Sequence, residues 1–215
     1  MRCRVLVRAI LAVAAAALIA GGTAMTQAGT PSTITPAQLT AAKSIGQRSA
    51  PITLEDFADF QCPMCRTLFQ DTTRKLIQDY VSTGKVYLVH HDFPLPMHPH
   101  SREAARWANA AAVLGKFQPV EDALYAHQDS WGASGNIEGT LSSVLSPADL
   151  KKARTLMSDP DIEAAIQKDV ELANQRGVSQ TPSLFVTHKG QTVPLPPGAI
   201  SYPLLKQYLD YLLKQ

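Results

Sequence analysis

Two cysteines three positions apart are the residues of this chain best suited to covalent chemistry. Cys62 and Cys65 enclose Pro63 and Met64, and the remaining cysteine, Cys3, lies in an N-terminal segment that we expect to be removed. A disulfide between neighbours this close restricts the unfolded chain only slightly, so reactivity explains the pair better than stabilisation does. Because a thiolate is the attacking species in disulfide exchange, the spacing predicts a redox-active dithiol.

A structural disulfide and half of a zinc site are the alternatives for this pair. Tetrahedral zinc would need two further ligands, taken from His90, His91, His98 and His100. The sequence has no second pair of cysteines with this spacing, and a predicted helix and strand separate the cysteines from these histidines. His90 and His91 are successive residues of the predicted strand and should point to opposite faces. We therefore predict no metal and no cofactor.

The first 28 residues are typical of a secretory signal peptide. Basic residues up to Arg8 precede an apolar run, Ala9–Ala20, which is shorter than the roughly 20 residues that span a bilayer. Small residues follow, and cleavage is expected near Ala28. The interpretation is export to a periplasm or another extracytoplasmic space, and the alternative is an uncleaved membrane anchor.

Composition and charge describe an ordinary globular domain. Of the 215 residues, 45% are hydrophobic and 18% are charged. Without Arg2, Arg4 and Arg8, the 20 basic residues become 17, against 18 acidic ones, for a net charge of −1. This balance excludes the basic surface that nucleic-acid binding or a polybasic membrane tether requires.

The elements around the cysteines form a strand, a helix and a second strand. The predicted strands are Pro51–Asp59 and Lys85–His91, and the helix is Pro63–Val81, with proline in the first turn, where it is tolerated. Cys62 then precedes the first helical turn, where unpaired N–H groups and the helix dipole favour a thiolate. Cys65 lies one turn further, on the apolar face, and should be the resolving thiol. This βαβ context favours a redox motif over a chance pair.

The rest of the chain is a helical block followed by two strands and a terminal helix. Predicted helices cover Ser101–Leu114, Val120–Trp131, Ser146–Met157, Asp161–Arg176 and Tyr202–Leu213, a loop covers Gly132–Gly139, and the strands are Ser183–Thr187 and Gln191–Val193. The order indicates an α/β fold, with a thioredoxin-like core (β-α-β … α-β-β-α) over 51–99 and 158–215. A helical insertion over 100–157 interrupts this core, and residues 29–50 are expected to be a polar lead-in with one helical turn.

Three stretches, in the right order, resemble DsbA-like thiol–disulfide oxidoreductases. Phe57–Cys65 resembles their active-site stretch, Phe93–His100 the segment before their helical insertion, and Gly177–Val186 the stretch that contains their cis-proline. Two residues depart from the pattern: Gln180 replaces a frequent glycine, and Met64 stands where the best-known oxidase of the family has histidine.

The resemblance adds three residues to the candidate site. It implies a cis bond between Thr181 and Pro182, in a loop that faces the two sulfurs, where the alternative is a trans proline before a strand. It also implies that Asp56 helps to move protons to or from Cys65. The alternative for Asp56 is a salt-bridged aspartate at the surface, since an unpaired buried carboxylate is costly.

The predicted activity is thiol–disulfide exchange with unfolded or cysteine-containing exported proteins, with the chain as oxidase. The alternatives are a reductase or isomerase kept reduced by a membrane partner, and a client-binding, chaperone-like module. We expect a membrane redox partner. We also expect a monomer, since the sequence contains no clear dimerisation domain.

Methionine at position 64 has no N–H to donate to the Cys62 thiolate. Backbone groups should therefore hold the Cys62 thiolate, with Thr181 as a minor contributor, at a pKa between about 3.5 and 8.5.

Overall fold

The protein is described by a computed structural model over residues 34–215, and the expected signal peptide lies outside this range. Within it, five strands form one mixed sheet in the order β1-β3-β2-β4-β5. The strands are β1 Ser44–Ile45, β2 Ile52–Ala58, β3 Val86–Asp92, β4 Ser183–His188 and β5 Gln191–Pro194. β2 and β3 run parallel, and the other neighbours run antiparallel. The predicted α/β fold with a thioredoxin-like sheet is confirmed.

Helices cover both faces of this sheet. They are α1 Pro36–Ala42, α2 Pro63–Leu68, α3 Arg74–Leu76, α4 Ser101–Val113, α5 Phe117–Ala126, α6 Gln128–Ser134, α7 Ile137–Leu141, α8 Pro147–Leu156, α9 Pro160–Gln175 and α10 Tyr202–Leu212. None of the helices found between residues 34 and 215 has the length and apolar character needed to cross a membrane.

One stretch of the helical block differs from its prediction. The expected helix Val120–Trp131 is divided between α5 and α6, and the expected loop Gly132–Gly139 contains the start of α7. Gly135 adopts a left-handed φ of 74° and ends α6, and the Asn136 side chain then accepts a hydrogen bond from the Gly139 N–H to begin α7. The loop prediction was wrong because a glycine that ends a helix and an asparagine that starts one are adjacent here.

The helix that starts at Pro63 continues to Val81, as its apolar spacing predicts. Two π-helical turns, Phe69–Thr73 and Ile77–Val81, flank α3 within this run. Its inner side chains pack with α10 against one face of the sheet, in a cluster of Ile52, Leu54, Leu68, Leu76, Tyr80, Val81, Val86, Leu88, Leu184, Val186, Leu205 and Leu209. This packing holds the first turn of α2 at the carboxyl end of β2.

A second apolar cluster joins the helical block to the cysteines. Trp107, Leu124 and Trp131 are buried inside the block, and the same cluster includes Cys62 and Cys65. The block is therefore packed directly on the candidate site.

The segment expected as a polar lead-in, 29–50, contributes α1 and β1 to the folded core. β1 pairs with β3.

Lys43 is a buried cation. It is 1% exposed and donates hydrogen bonds to Asp92 and, at 2.8 Å, to Asp169. Burial opposes the charge of Lys43, but the two carboxylates raise its pKa above the ordinary value.

Replacing Lys43 by methionine should destabilise the protein, because two buried carboxylates then lose their cation. The expected loss in the free energy of unfolding is about 3–5 kcal/mol, measured by denaturant unfolding at pH 7. Lys168→Met, at an exposed position of α9, is the matched control and should change stability by less than about 0.5 kcal/mol. Equal stability of the two variants would contradict the structural role of Lys43.

Candidate redox site

Cys62 lies between the end of β2 and the start of α2. It is the N-cap residue of α2, and Pro63 occupies the first helical position. Its N–H donates to the Asp59 carbonyl at 3.0 Å, and its carbonyl accepts the Arg66 N–H at 3.2 Å. Cys62 is a free cysteine and the residue is 6% exposed; its Sγ lies 3.4 Å from the Thr181 carbonyl oxygen. The nucleophile position predicted from the sequence is thus at a helix N-terminus.

Cys65 lies one turn inside the helix and is also a free thiol, 2% exposed. Its Sγ accepts the backbone N–H of Asp59 at 3.4 Å. Both residues are largely buried, so the pKa of each thiol depends on its burial together with the charged and hydrogen-bonding groups around it.

The surroundings of Cys62 stabilise its thiolate. A hydrogen bond from the Cys65 thiol has the largest effect on its pKa; burial opposes it, and the Thr181 side chain and the backbone N–H groups of Cys65 and Met64 add to it. Together they lower the pKa of Cys62 to about 5. This value lies within the expected interval. The expectation that backbone groups dominate was wrong, because the hydrogen bond of the Cys65 thiol lowers the pKa of Cys62 more than the backbone N–H groups do.

The surroundings of Cys65 have the opposite effect. Burial raises the pKa of Cys65 well above its ordinary value, the hydrogen bond with Cys62 and the negative charge of Asp56 raise it further, and the Asp59 N–H opposes them. At neutral pH the reduced site therefore holds a thiolate at Cys62 and a thiol at Cys65.

The loop before β4 brings Thr181 and Pro182 to the cysteines. The Thr181–Pro182 peptide bond is cis, as the resemblance implied. The Thr181 hydroxyl is buried and has no hydrogen-bond partner within residues 34–215. A thiolate at Cys62 offers this hydroxyl an acceptor, in keeping with its effect on the pKa of Cys62.

Asp56 lies on β2, opposite His90 of β3, and the residue is half-buried. Its Oδ1 is buried and, in the part of the chain that the structure covers, has no hydrogen-bond partner. Burial raises the pKa of Asp56 to about 7; the positive charge of His90 opposes this effect and the negative charge of Glu121 adds to it. The alternative of a salt-bridged surface aspartate does not describe this carboxyl, which can gain or lose a proton near neutral pH.

Asp59 is a structural residue of the site that the sequence analysis missed. Its carboxylate accepts hydrogen bonds from the Gln61 N–H (2.7 Å), the Leu95 N–H (2.8 Å), His98 Nδ1 (2.7 Å) and the Ser101 hydroxyl (2.6 Å). These bonds join the loop before the cysteines to the start of the helical block. The only signal in the sequence was an acidic residue three positions before Cys62.

Gln128 is a second residue that was missed. From α6, its amide donates to the carbonyl oxygens of Phe60 (2.7 Å) and Cys62 (2.9 Å). No local sequence pattern marks a glutamine that donates to a backbone carbonyl 66 positions away.

Met64, between the two cysteines, is 48% exposed. An apolar side chain is therefore open to solvent beside Cys62.

His90 and His91 lie on opposite faces of β3, as predicted. His90 stacks on Phe60, with 5.1 Å between ring centroids, and His91 pairs with Asp169 and Glu55. Across residues 34–215, the structure contains no group of three or more His, Cys, Asp or Glu side chains arranged to hold a metal ion.

A sequence profile described as thioredoxin matches residues 39–201. The chain belongs to the thioredoxin family. Within it, the resemblance to DsbA-like proteins is confirmed by a solved structure: DsbA2 of Pseudomonas aeruginosa is 27% identical, with a TM-score of 0.65, over 81% of this chain and 95% of that one.

Two curated relatives match a large share of this thioredoxin-family chain. "Probable disulfide bond formation protein D" of Bacillus cereus is 26% identical over 153 residues, which are 67% of this chain and 69% of the relative. "Na(+)/H(+) antiporter NhaA 3" of Salinispora tropica is 32% identical over 170 residues, 79% of this chain. The match spans only 25% of that antiporter's length.

The stabilised thiolate predicts the pH dependence of alkylation. The rate of Cys62 alkylation by iodoacetamide should rise with a midpoint near pH 5, because the reactive thiolate forms above the pKa of about 5. Thr181→Val removes a contributor that lowers this pKa, so its midpoint should be higher. Thr192→Val, in the edge strand β5, is the control and should leave the midpoint unchanged. A midpoint near 8.5, the ordinary cysteine value, would contradict the assignment.

Proposed function

We propose that this chain is an exported protein thiol–disulfide oxidoreductase that transfers the Cys62–Cys65 disulfide to cysteine-containing proteins. The observation that supports the proposal best is the opposite effect of the site on its two thiols. The pKa of Cys62 is lowered and that of Cys65 is raised. Such a pair has one sulfur suited to attack and departure and a second that closes the disulfide.

Oxidation of a client proceeds in two exchanges. A client thiolate attacks Cys62 Sγ of the disulfide, the Cys62–Cys65 bond breaks, and Cys65 leaves with the electron pair and takes a proton from the Asp56 carboxyl. A second client thiolate then attacks the client sulfur of the mixed disulfide, and Cys62 leaves as a thiolate. The client has lost two electrons and gained a disulfide, and the enzyme is a dithiol. A thiol with a low pKa leaves faster, so the second exchange is favoured.

The stabilised thiolate also favours the oxidase direction. With the pKa of Cys62 at about 5 in the folded protein, the reduced form gains stability as pH rises above 5, and the gain is complete above the ordinary cysteine pKa of about 8.5. It is lost as pH falls through about 5. A more stable reduced form makes the disulfide a stronger oxidant.

The proposed activity is consistent with an exported protein, with cysteine-containing clients and with a membrane protein as electron acceptor. The expected signal peptide over 1–28 would deliver the chain to a compartment in which disulfides persist. There the clients would be exported proteins that contain cysteines, and a membrane redox partner would accept the electrons. The exposed Met64 offers apolar contact to an unfolded client.

Trapping of clients tests the order of attack. Cys65→Ser keeps the nucleophile and removes the resolving thiol, so it should accumulate mixed disulfides with client proteins in intact cells. Cys62→Ser should accumulate none, because the remaining thiol is buried and its pKa is raised. Non-reducing gels with cysteine alkylation give the comparison. Equal trapping by both variants, or by neither, would contradict the proposal.

The reduction potential tests the direction. It should fall between about −270 mV and −120 mV, the values of thioredoxin and the strongest oxidase, because Met64 gives the thiolate no N–H or charge. Equilibration with glutathione buffers, followed by thiol alkylation, measures it. A value at or below about −270 mV would favour the reductase alternative.

A further inference from the structure

A group of buried ionisable side chains lies beside the cysteines and includes Glu121 of the helical block. Glu121, on α5, is 7% exposed, and its Oε1 lies 3.6 Å from His90 Nδ1. On its other side, His90 Nε2 lies 3.3 Å from Asp92 Oδ1. Because His90 is the direct neighbour of Asp56 across the parallel β2–β3 pair, Asp56, His90 and Glu121 are contiguous on one face of the sheet.

The position of Asp56 raises the question of how its proton leaves. Its Oδ1 is buried, and no hydrogen-bond partner for it occurs in residues 34–215. Aromatic rings close the space around its neighbour: His90 is in contact with Phe60 and, at 5.2 Å between centroids, with Phe117. A carboxyl that exchanges protons with the buried Cys65 therefore needs a polar route through this apolar cluster.

Glu121 connects this group to the outside. It lines an open cavity of about 510 Å³, together with Phe69, Arg74, Ile77, Gln118 and Asp122. Arg74 is paired with Asp122 at 2.6 Å. The carboxylate of Glu121 thus faces His90 on the protein side and lies at the wall of an open cavity on the other.

We propose that Glu121 is the outer proton acceptor of the dithiol site and exchanges the proton of Asp56 with water in this cavity. The inference rests on the proposed thiol–disulfide exchange and adds a residue of the helical block to it. When Cys65 attacks a mixed disulfide at Cys62, its S–H bond breaks and the proton goes to Asp56. The Cys62–Cys65 bond forms, and the partner sulfur leaves with the electron pair. Asp56 then passes the proton to Glu121, which releases it to water.

The charges around the two carboxyls support this direction of transfer. The pKa of Asp56 depends on the charges of four neighbours, which lie on β3, on α5 and at the start of α2: His90, His91, Glu121 and Cys62. The negative charge of Glu121 raises the pKa of Asp56, so Asp56 accepts a proton more readily. Glu121 and Asp92 together raise the pKa of His90 to about 9, against the effect of burial. A protonated His90 attracts the Glu121 carboxylate, 3.6 Å away, which also lines the cavity.

Single-turnover oxidation of the reduced protein by glutathione disulfide separates the two steps. Formation of the Cys62–glutathione mixed disulfide should be the same in the unaltered protein and in Glu121→Gln. Release of glutathione by Cys65 should be about tenfold slower in Glu121→Gln at pH 7, a modest part of the usual contribution of proton transfer. The solvent isotope effect on this release step, measured in D2O, should also be larger in Glu121→Gln. Asp122→Asn, the neighbouring residue on the same cavity, is the control and should release glutathione at the unaltered rate.

Chemical rescue distinguishes proton transfer from a structural effect. Glu121→Ala should be slow, formate added to the buffer should restore its rate of glutathione release through the open cavity, and Glu121→Asp should retain most of the rate. Release at the unaltered rate in Glu121→Gln, or a slow Glu121→Ala that formate leaves unchanged, would overturn the proposal. Failure of the unaltered protein to form any mixed disulfide would instead contradict the proposed function.

Discussion

The thiolate of Cys62 has little contact with water, and this constraint shapes its surroundings. Because the residue is 6% exposed, solvent offers its sulfur few hydrogen bonds, and protein donors take the place of water. The Cys65 thiol, the Thr181 side chain and the N–H groups of the first turn of α2 supply them. Each donor comes from a different feature of the fold, namely the spacing of the motif, the loop before β4 and the start of the helix. Each of the three lowers the pKa of Cys62 and so widens the charge difference between the two sulfurs.

Local sequence patterns predicted the elements that contain the cysteines. The proline at position 63, the apolar spacing up to Val81 and the β-branched residues of β2 and β3 are local signals, and the helix and strands lie within one or two residues of their predictions. The opposite directions of His90 and His91 followed from strand geometry alone. In these places, the preference of the local sequence and the demands of the fold agree.

Contacts between distant residues were outside the reach of such patterns. Lys43 is separated by 49 and 126 positions from the carboxylates that make its burial possible, and a lone lysine in a polar segment indicates a surface. Gln128 belongs to the site through hydrogen bonds to backbone carbonyls, and Asp59 through bonds from backbone N–H groups and from two side chains; neither leaves a periodic signal. The nearness of Glu121 to His90 depends on how α5 packs on β3. These residues became visible only when the chain was folded.

The two hydrogen bonds from Gln128 tie the backbone carbonyls of Phe60 and Cys62 to the helical block. In modular terms, the block is not an attachment that can be exchanged freely between relatives, because one of its side chains sets the position of the reactive residue. A chimaera that keeps this sheet but takes its helices from another protein must supply an amide at the same place. Core and insertion are separate segments along the chain, but both contribute to the surroundings of the Cys62 sulfur.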